Sequence, residues 1–402
     1  MNILFISPYL PSLIRVRPYN LIKALAERGH AITLLALEPP GEDTSSLDTL
    51  RRLCQQVETV SLPRWRTLWN AIQVVAGQTP LQAAYSRSPQ MAQLIRQTQA
   101  KNKFDIVHIE HLRGAELGEA VNGTPVVFDS VDSITLLFER VLQAGPNWRS
   151  RMLARLDLAR TRTYEGKFLE RFQRVLVTSP RDRDTLAQLT TTPELSQRLI
   201  VLPNGVDLNY FNPIFTPRDP ATLVFTGKMS YHANVAAGLD LANKVMPLVW
   251  QQLPQARLMI VGKDPTPTLL ALASDPRITV TGTVPDIRPY LAQATVAISP
   301  MRYGVGIQNK VLEAMAMATP VISTSQAVSA LQVKEGHEAL IADTPETMAQ
   351  AVVTLLANES LRHQVGQAGR HYVETRHDWD LAAAKLELIY QEAATEKVYK
   401  TF

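Results

Sequence analysis

The sequence holds a single cysteine, Cys54, which excludes a disulfide framework and any metal site built on several thiolates. Nowhere do apolar residues run for about 18 positions, so no segment reads as a membrane-spanning helix. The opening MNILFISPYL lacks a basic stretch ahead of its apolar run, and Pro8 cuts that run short. We read it as a first β-strand and not as a secretion signal. Charge imbalance is small as well, since a formal net charge of +4 does not by itself argue for nucleic acid. Three frequent catalytic signatures are missing: the G-x-S-x-G elbow, the P-loop and H-E-x-x-H. The expectation is a soluble, cytoplasmic chain.

What is present is globular, with 46% hydrophobic and 19% charged residues. At 402 residues the chain exceeds one comfortable core, so two domains are expected. Short β-rich runs alternate with helical patterns. In the first half the runs are Asn2–Ser7, Ala31–Leu37, Val57–Leu62, Asp105–Ile109, Pro125–Phe128, Arg174–Thr178 and Ile200–Pro203. A Pro-rich stretch, Asn212–Pro220, then breaks periodicity and is the candidate linker. The alternation resumes at Thr222–Thr226, Arg257–Val261, Arg277–Thr281, Thr295–Ser299, Pro320–Ser323 and Ala339–Ala342. This is the pattern of an α/β chain with two doubly wound, Rossmann-like domains. The boundaries expected are 1–211 and 212–379, and residues from about 380 to 397 read as a last long amphipathic helix.

In such folds ligands sit beyond the carboxyl ends of the strands. The stretch 295–323, TVAISPMRYGVGIQNKVLEAMAMATPVIS, gives a strand, a turn with Gly304 and Gly306, a helix and a second strand. A helix start after a glycine turn offers free amides to an anion. Lys310 lies in its first turn and Glu313 three residues on, so the two share a side. A cation, free amides and a carboxylate suit a nucleotide diphosphate with its ribose diol; the same residues also fit an ordinary βαβ unit with a solvated pair. Gly227-Lys228 and Gly262-Lys263 place cations at two further strand ends, and Thr281–Asp286 follows a third. In the first half Arg15 and Arg17 occupy the first strand–helix loop, as an anion contact or a solvated pair. His108 and His111 flank Glu110 at another strand end, where strand alternation argues against a metal site. Asp129 and Asp132 lie beyond Pro125–Phe128, as a base and a hydroxyl ligand or as a turn and helix cap.

Two insertions stand apart. Residues 62–88 carry Arg64, Trp65, Arg66, Trp69 and Tyr85, and residues 137–174 hold nine Arg/Lys against four Asp/Glu with five aromatics interleaved. Either a solvated helical face or a contact with an anionic membrane surface or acidic acceptor fits them; no nucleic-acid module is present.

Taken together, Arg17–His30, Pro203–Phe211 (PNGVDLNYF), Phe225–Lys228, Thr281–Asp286 and above all Gly304–Pro320 make the chain resemble the GT-B glycosyltransferases, most closely the retaining, nucleotide-sugar-dependent family 4 of exopolysaccharide type. The resemblance covers essentially the whole length. It implies two domains facing across a cleft, with donor bound by the second and acceptor by the first, and the C-terminal helix 380–402 crossing back to the first. It implies that Glu313 binds the donor ribose, that Gly304, Val305 and Gly306 with the helix start cradle the diphosphate, that Lys228 meets the same diphosphate, and that Val284 holds the base through its backbone. It also implies no metal or cofactor, a UDP- or GDP-linked sugar as co-substrate, and a saccharide or lipid-linked acceptor; the basic, aromatic insertions add the expectation of peripheral attachment at the inner face of a membrane. The expected catalytic set is Asp132, Arg17 and Lys228, with Arg15, His108 and Asp129 on the acceptor side. Departures are informative. Val305 stands where the family's first glutamate falls, Asn234 replaces a second basic residue after Lys228, and Val131 takes a histidine's place. Lys310 is therefore expected to supply the missing cation. A nucleotide-sugar epimerase, or a non-catalytic nucleotide- or sugar-binding protein, are the alternatives.

Overall fold

In the computed structural model, which describes residues 1–41, 44–74, 77–144, 148–214, 216–303 and 307–396, the chain divides into two compact units. The first comprises Met1–Pro203 and Trp379–Phe402, the second Asn204–Asp378. The division falls ahead of the Pro-rich stretch. Residues 204–211 go with the second unit because Val206 bridges Asp378 and the Arg370 guanidinium donates to the Phe211 carbonyl at 2.8 Å.

The first unit is built on β1 (Asn2–Ser7), β2 (Ala31–Glu38), β3 (Gln56–Ser61), β4 (Ile106–Glu110), β5 (Val126–Val131), β6 (Arg174–Val177) and β7 (Leu199–Val201), all parallel in the order β3-β2-β1-β4-β5-β6-β7. Ile3–Ser7 are buried without a break, as a parallel strand covered on both faces requires. Ile3 and Phe5 face the helix Val16–Glu27 and the last helix, Trp379–Thr395; Leu4 and Ile6 face the opposite layer with Phe128, Phe168 and Phe172. The last helix buries Ala382, Ala383, Leu386, Ile389 and Tyr390, spaced as one helical stripe, which is why it docks on this unit. β5 extends beyond the expected Phe128, so Asp129 lies within the strand. A buried arginine partner makes a charge tolerable there. The register shifts between Asp129 and Val131, and Val131 takes a positive φ of 67°.

The second unit carries β8 (Thr222–Thr226), β9 (Arg257–Val261), β10 (Ile278–Val280), β11 (Val296–Ser299), β12 (Val321–Ser323) and β13 (Leu340–Ile341), parallel in the order β10-β9-β8-β11-β12-β13. Leu223 and Phe225 face one helical layer while Val224 faces the other. In each unit strand order reverses once, between β1 and β4 and between β8 and β11. Those two reversals are where a ligand crevice opens in such sheets.

Candidate functional site

At the β8/β11 reversal the local backbone is forced by glycine. A Cβ on Gly262 would lie 1.8 Å from the Gly227 carbonyl oxygen, and both glycines hold φ near 150°. The two loops can therefore lie against each other: Gly227 N–H donates to the Val261 carbonyl at 3.1 Å and Met229 N–H to the Lys263 carbonyl at 2.7 Å. Lys228 is exposed on this platform. Its carbonyl accepts from the Asn234 side-chain amide at 2.9 Å, and the Asn234 Oδ1 accepts from the Lys310 ammonium at 2.5 Å. Lys310 stands in the first turn of the helix Asn309–Ala316, its Nζ 4.9 Å from the Phe225 ring centroid. The chain thus brings Lys310 to the residue that replaces the second basic position after Lys228.

Lys310 and Glu313 are partly open to solvent by area, yet protein atoms surround them on most sides. Burial pulls Lys310 down to about 8 and pushes Glu313 up to about 7, with the mutual attraction opposing each shift. Close by, Ser299 Oγ at the end of β11 and Asn309 Oδ1 at the helix start are buried without a hydrogen-bond partner among the described residues. Unpaired polar atoms beside a helix start suit a polar ligand. Val284 follows β10 in a half-buried position, and its loop is pinned at Asp286, which takes a bidentate pair from Arg288 and the Tyr210 hydroxyl. Gly304, Val305 and Gly306 lie outside the described residues.

The first unit gathers its candidates differently. Arg17 sits in the first turn of Val16–Glu27, not in the preceding loop, and is only 4% exposed. Its Nε donates to Asp129 Oδ2 at 2.7 Å and its Nη1 to the Leu202 carbonyl at 3.0 Å. His108 joins them in the interior. Its Nε2 lies 3.9 Å from the same Asp129 oxygen, its Nδ1 is 2.8 Å from the Tyr390 hydroxyl, and its ring stacks on Phe5 at 4.3 Å. Burial holds His108 down at about 4, hence neutral. Arg17, Asp129 and His108 therefore meet, but inside the core. Asp132 is half-buried, accepts from the Thr178 hydroxyl at 2.9 Å, and is raised to about 6, chiefly by burial and then by Asp182. Arg15 lies 4.4 Å over the Tyr9 ring.

At the β1/β4 reversal the structure gives Glu110, which the sequence reading placed only between two histidines, its own partners in Tyr9 and Ser7. Glu110 ends β4, fully buried; the Tyr9 hydroxyl donates to it at 3.1 Å and the Ser7 hydroxyl at 3.4 Å. Burial first, then Asp129, raise its carboxyl to about 8. His111 follows with a positive φ of 64°, its Nδ1 accepting from the Arg113 amide at 3.2 Å. The signal was the strand end itself, which the apolar run placed one residue early at Ile109. Among the described residues no group of three or more His, Cys, Asp or Glu is arranged to hold a metal ion, and no helix is long and apolar enough to cross a membrane.

Two parallel sheets, each with one reversal of strand order and with polar and charged side chains at it, define a doubly wound, two-unit α/β protein. Sequence comparison places it further: residues 15–210 match the family described as Glycosyltransferase Family 4, and residues 220–358 match Glycosyl transferases group 1. The chain belongs to the family 4 type of GT-B glycosyltransferases. YtcC of Bacillus subtilis (strain 168), whose name places it among glycosyltransferases, is 26% identical over 236 residues, 51% of this chain and 57% of that protein. The GDP-mannose-dependent alpha-(1-6)-phosphatidylinositol monomannoside mannosyltransferase of Mycobacterium tuberculosis (strain CDC 1551 / Oshkosh) is 30% identical over 210 residues, 46% of this chain and 54% of that one. The chain thus spans about half the length of the curated relatives it matches. Anabaena Alr3699/HepE, solved in complex with UDP, shares the fold with a TM-score of 0.68 at 14% identity, covering 98% of this chain and 100% of that one.

Proposed function

We propose that the protein transfers a sugar from a nucleotide-diphosphate sugar to a saccharide or lipid-linked acceptor, in polysaccharide or glycolipid synthesis, with retention at the anomeric carbon. One observation carries the reading: Lys310, Asn234 and Lys228 converge at the β8/β11 reversal, beside a helix start. The bond from the sugar's anomeric carbon to the diphosphate oxygen breaks, and one to an acceptor hydroxyl oxygen forms. Negative charge then grows on the departing diphosphate. Lys310, Lys228 and the helix-end amides would meet that charge without a metal ion, and one preorganised donor of this kind is typically worth about 3 kcal/mol. Glu313 would hold the ribose hydroxyls, with Gly304, Val305 and Gly306 assigned to the phosphates and Val284 to the base. Asp132, raised toward neutrality, would take the acceptor proton, with Arg15 and Glu110 near the acceptor. Arg17 we assign to holding Asp129 and the start of its helix. A UDP- or GDP-linked donor is favoured by the names of the relatives, as is peripheral attachment to a membrane by the phosphatidylinositol acceptor of one of them.

The test is a thermal-melting panel with UDP, GDP, ADP, CMP and their sugars. A ligand at about 100 times its Kd adds about 2.7 kcal/mol of stability. At least one nucleoside diphosphate should raise the melting temperature, and Glu313→Gln should lose that rise with its unliganded melting unchanged. A panel with no shift would remove the donor site. Conversion of the donor without any acceptor would favour an epimerase over a transferase.

A further inference from the structure

The helix Arg64–Val74 of the first unit is turned inside out. Trp65, Leu68, Trp69 and Ile72, at i, i+3, i+4 and i+7, form one stripe that faces solvent, with Trp65 64% and Leu68 66% exposed. The buried side carries Thr67 and Asn70, with Val74 at the end of the helix. This orientation is fixed, because the Asn70 amide donates to the Arg87 carbonyl at 2.9 Å and to the Tyr85 carbonyl at 3.3 Å. The helix Trp148–Glu165 repeats the inversion. It buries Ala154, Asp157, Thr161 and Glu165 and exposes Trp148, Met152, Leu153 and Leu156. Here too polar groups anchor the inner side: Asp157 accepts from the Leu81 amide at 3.0 Å, and Glu165 accepts from the Ile134 and Thr135 amides at 2.7 and 3.0 Å. Arg160 donates to the Val74 carbonyl at 3.2 Å, so the two helices adjoin.

We infer that these two helices form an interfacial anchor for an anionic lipid bilayer, which deepens the membrane part of the proposed function and rests on it. Charge selects the occupant. Arg64, Arg151, Arg155 and Arg162 are exposed and Arg66 lies 5.4 Å over the Trp65 ring, while the helix Arg64–Val74 has no carboxylate and both of those on Trp148–Glu165 are buried. A second copy of the chain on this face would bring arginines against arginines in an isologous contact. Lipid phosphates complement them instead, with the tryptophans at headgroup level and the aliphatic side chains below. Neither helix spans a membrane, so the attachment is in the plane of the surface. A lipid-linked acceptor would then be met at the interface that holds the first unit.

Co-sedimentation of the full chain with vesicles of phosphatidylcholine, alone or mixed with phosphatidylglycerol, tests this, read with tryptophan emission. Binding to the mixed vesicles with a blue shift is expected, weakening as salt rises. A Leu68→Gln, Trp69→Gln, Ile72→Gln variant should bind at least about tenfold more weakly, and Arg64→Gln with Arg66→Gln about fivefold per arginine at low salt. The nucleotide-induced melting shift, retained in both variants, reports an intact second unit and separates failure of the anchor from failure of the donor site. Absence of binding at low salt, equal binding by variant and parent, or a solution dimer that the Gln variant dissolves would overturn the inference.

Discussion

In the role proposed for it, Lys310 meets two opposed demands. Burial favours its neutral form, while a departing diphosphate needs its positive one. Because its value in the folded protein is lowered to about 8 from the ordinary 10.5, the contribution of this group to stability is present above its unfolded value and lost as pH falls through about 8. Affinity for a nucleoside diphosphate runs the other way. It should hold below about pH 8 and fall above it as the ammonium deprotonates, by roughly tenfold or more for one charged hydrogen bond. Affinity titrated from pH 7 to 9.5 checks this, and a flat profile would take Lys310 out of the phosphate contact. Asn234 is the other half of the arrangement. With a neutral amide in place of a second cation, it orients Lys310 from a neighbouring helix and cannot compete with it for the anion.

Among elements, the last helix shows how far the sequence could be read. Its apolar stripe was legible from about residue 380 onward, and its place on the first unit followed from the family resemblance. The Tyr390 hydroxyl reaching His108 across 282 positions was not, because no local pattern encodes so distant a partner. Tyr390→Phe should cost about 1 kcal/mol in denaturant unfolding, the ordinary worth of a buried hydrogen bond. No loss would make that contact incidental. The same limit explains Arg17 and Asp129. As types at strand ends they read as surface groups; only the fold reveals that they pair with each other inside it. The inverted helices were the harder case. Their basic and aromatic composition was visible, but which face turns outward is decided by Asn70 and Asp157 finding backbone partners in other segments.

At the scale of the whole molecule, the described residues form thirteen strands in two parallel sheets, each with one reversal of order. Both sheets were legible because buried parallel strands are short apolar runs bounded by turn residues. Each reversal collects groups of different character. The second unit presents Lys228, Lys310 and Glu313, and the first presents Glu110 with Tyr9 and Ser7. Lys228 and Lys310 make one reversal cationic, whereas Glu110 at the other is buried with its carboxyl raised to about 8, so that end carries little charge near neutral pH. The central claim is that the β8/β11 reversal binds the donor diphosphate through Lys310. Calorimetric titration of UDP and GDP into the parent chain and into Lys310→Ala tests it most directly. One nucleotide should bind the parent, and bind the variant at least about tenfold more weakly, with both proteins folded. Equal affinity in the two proteins, or no binding to the parent, would contradict it.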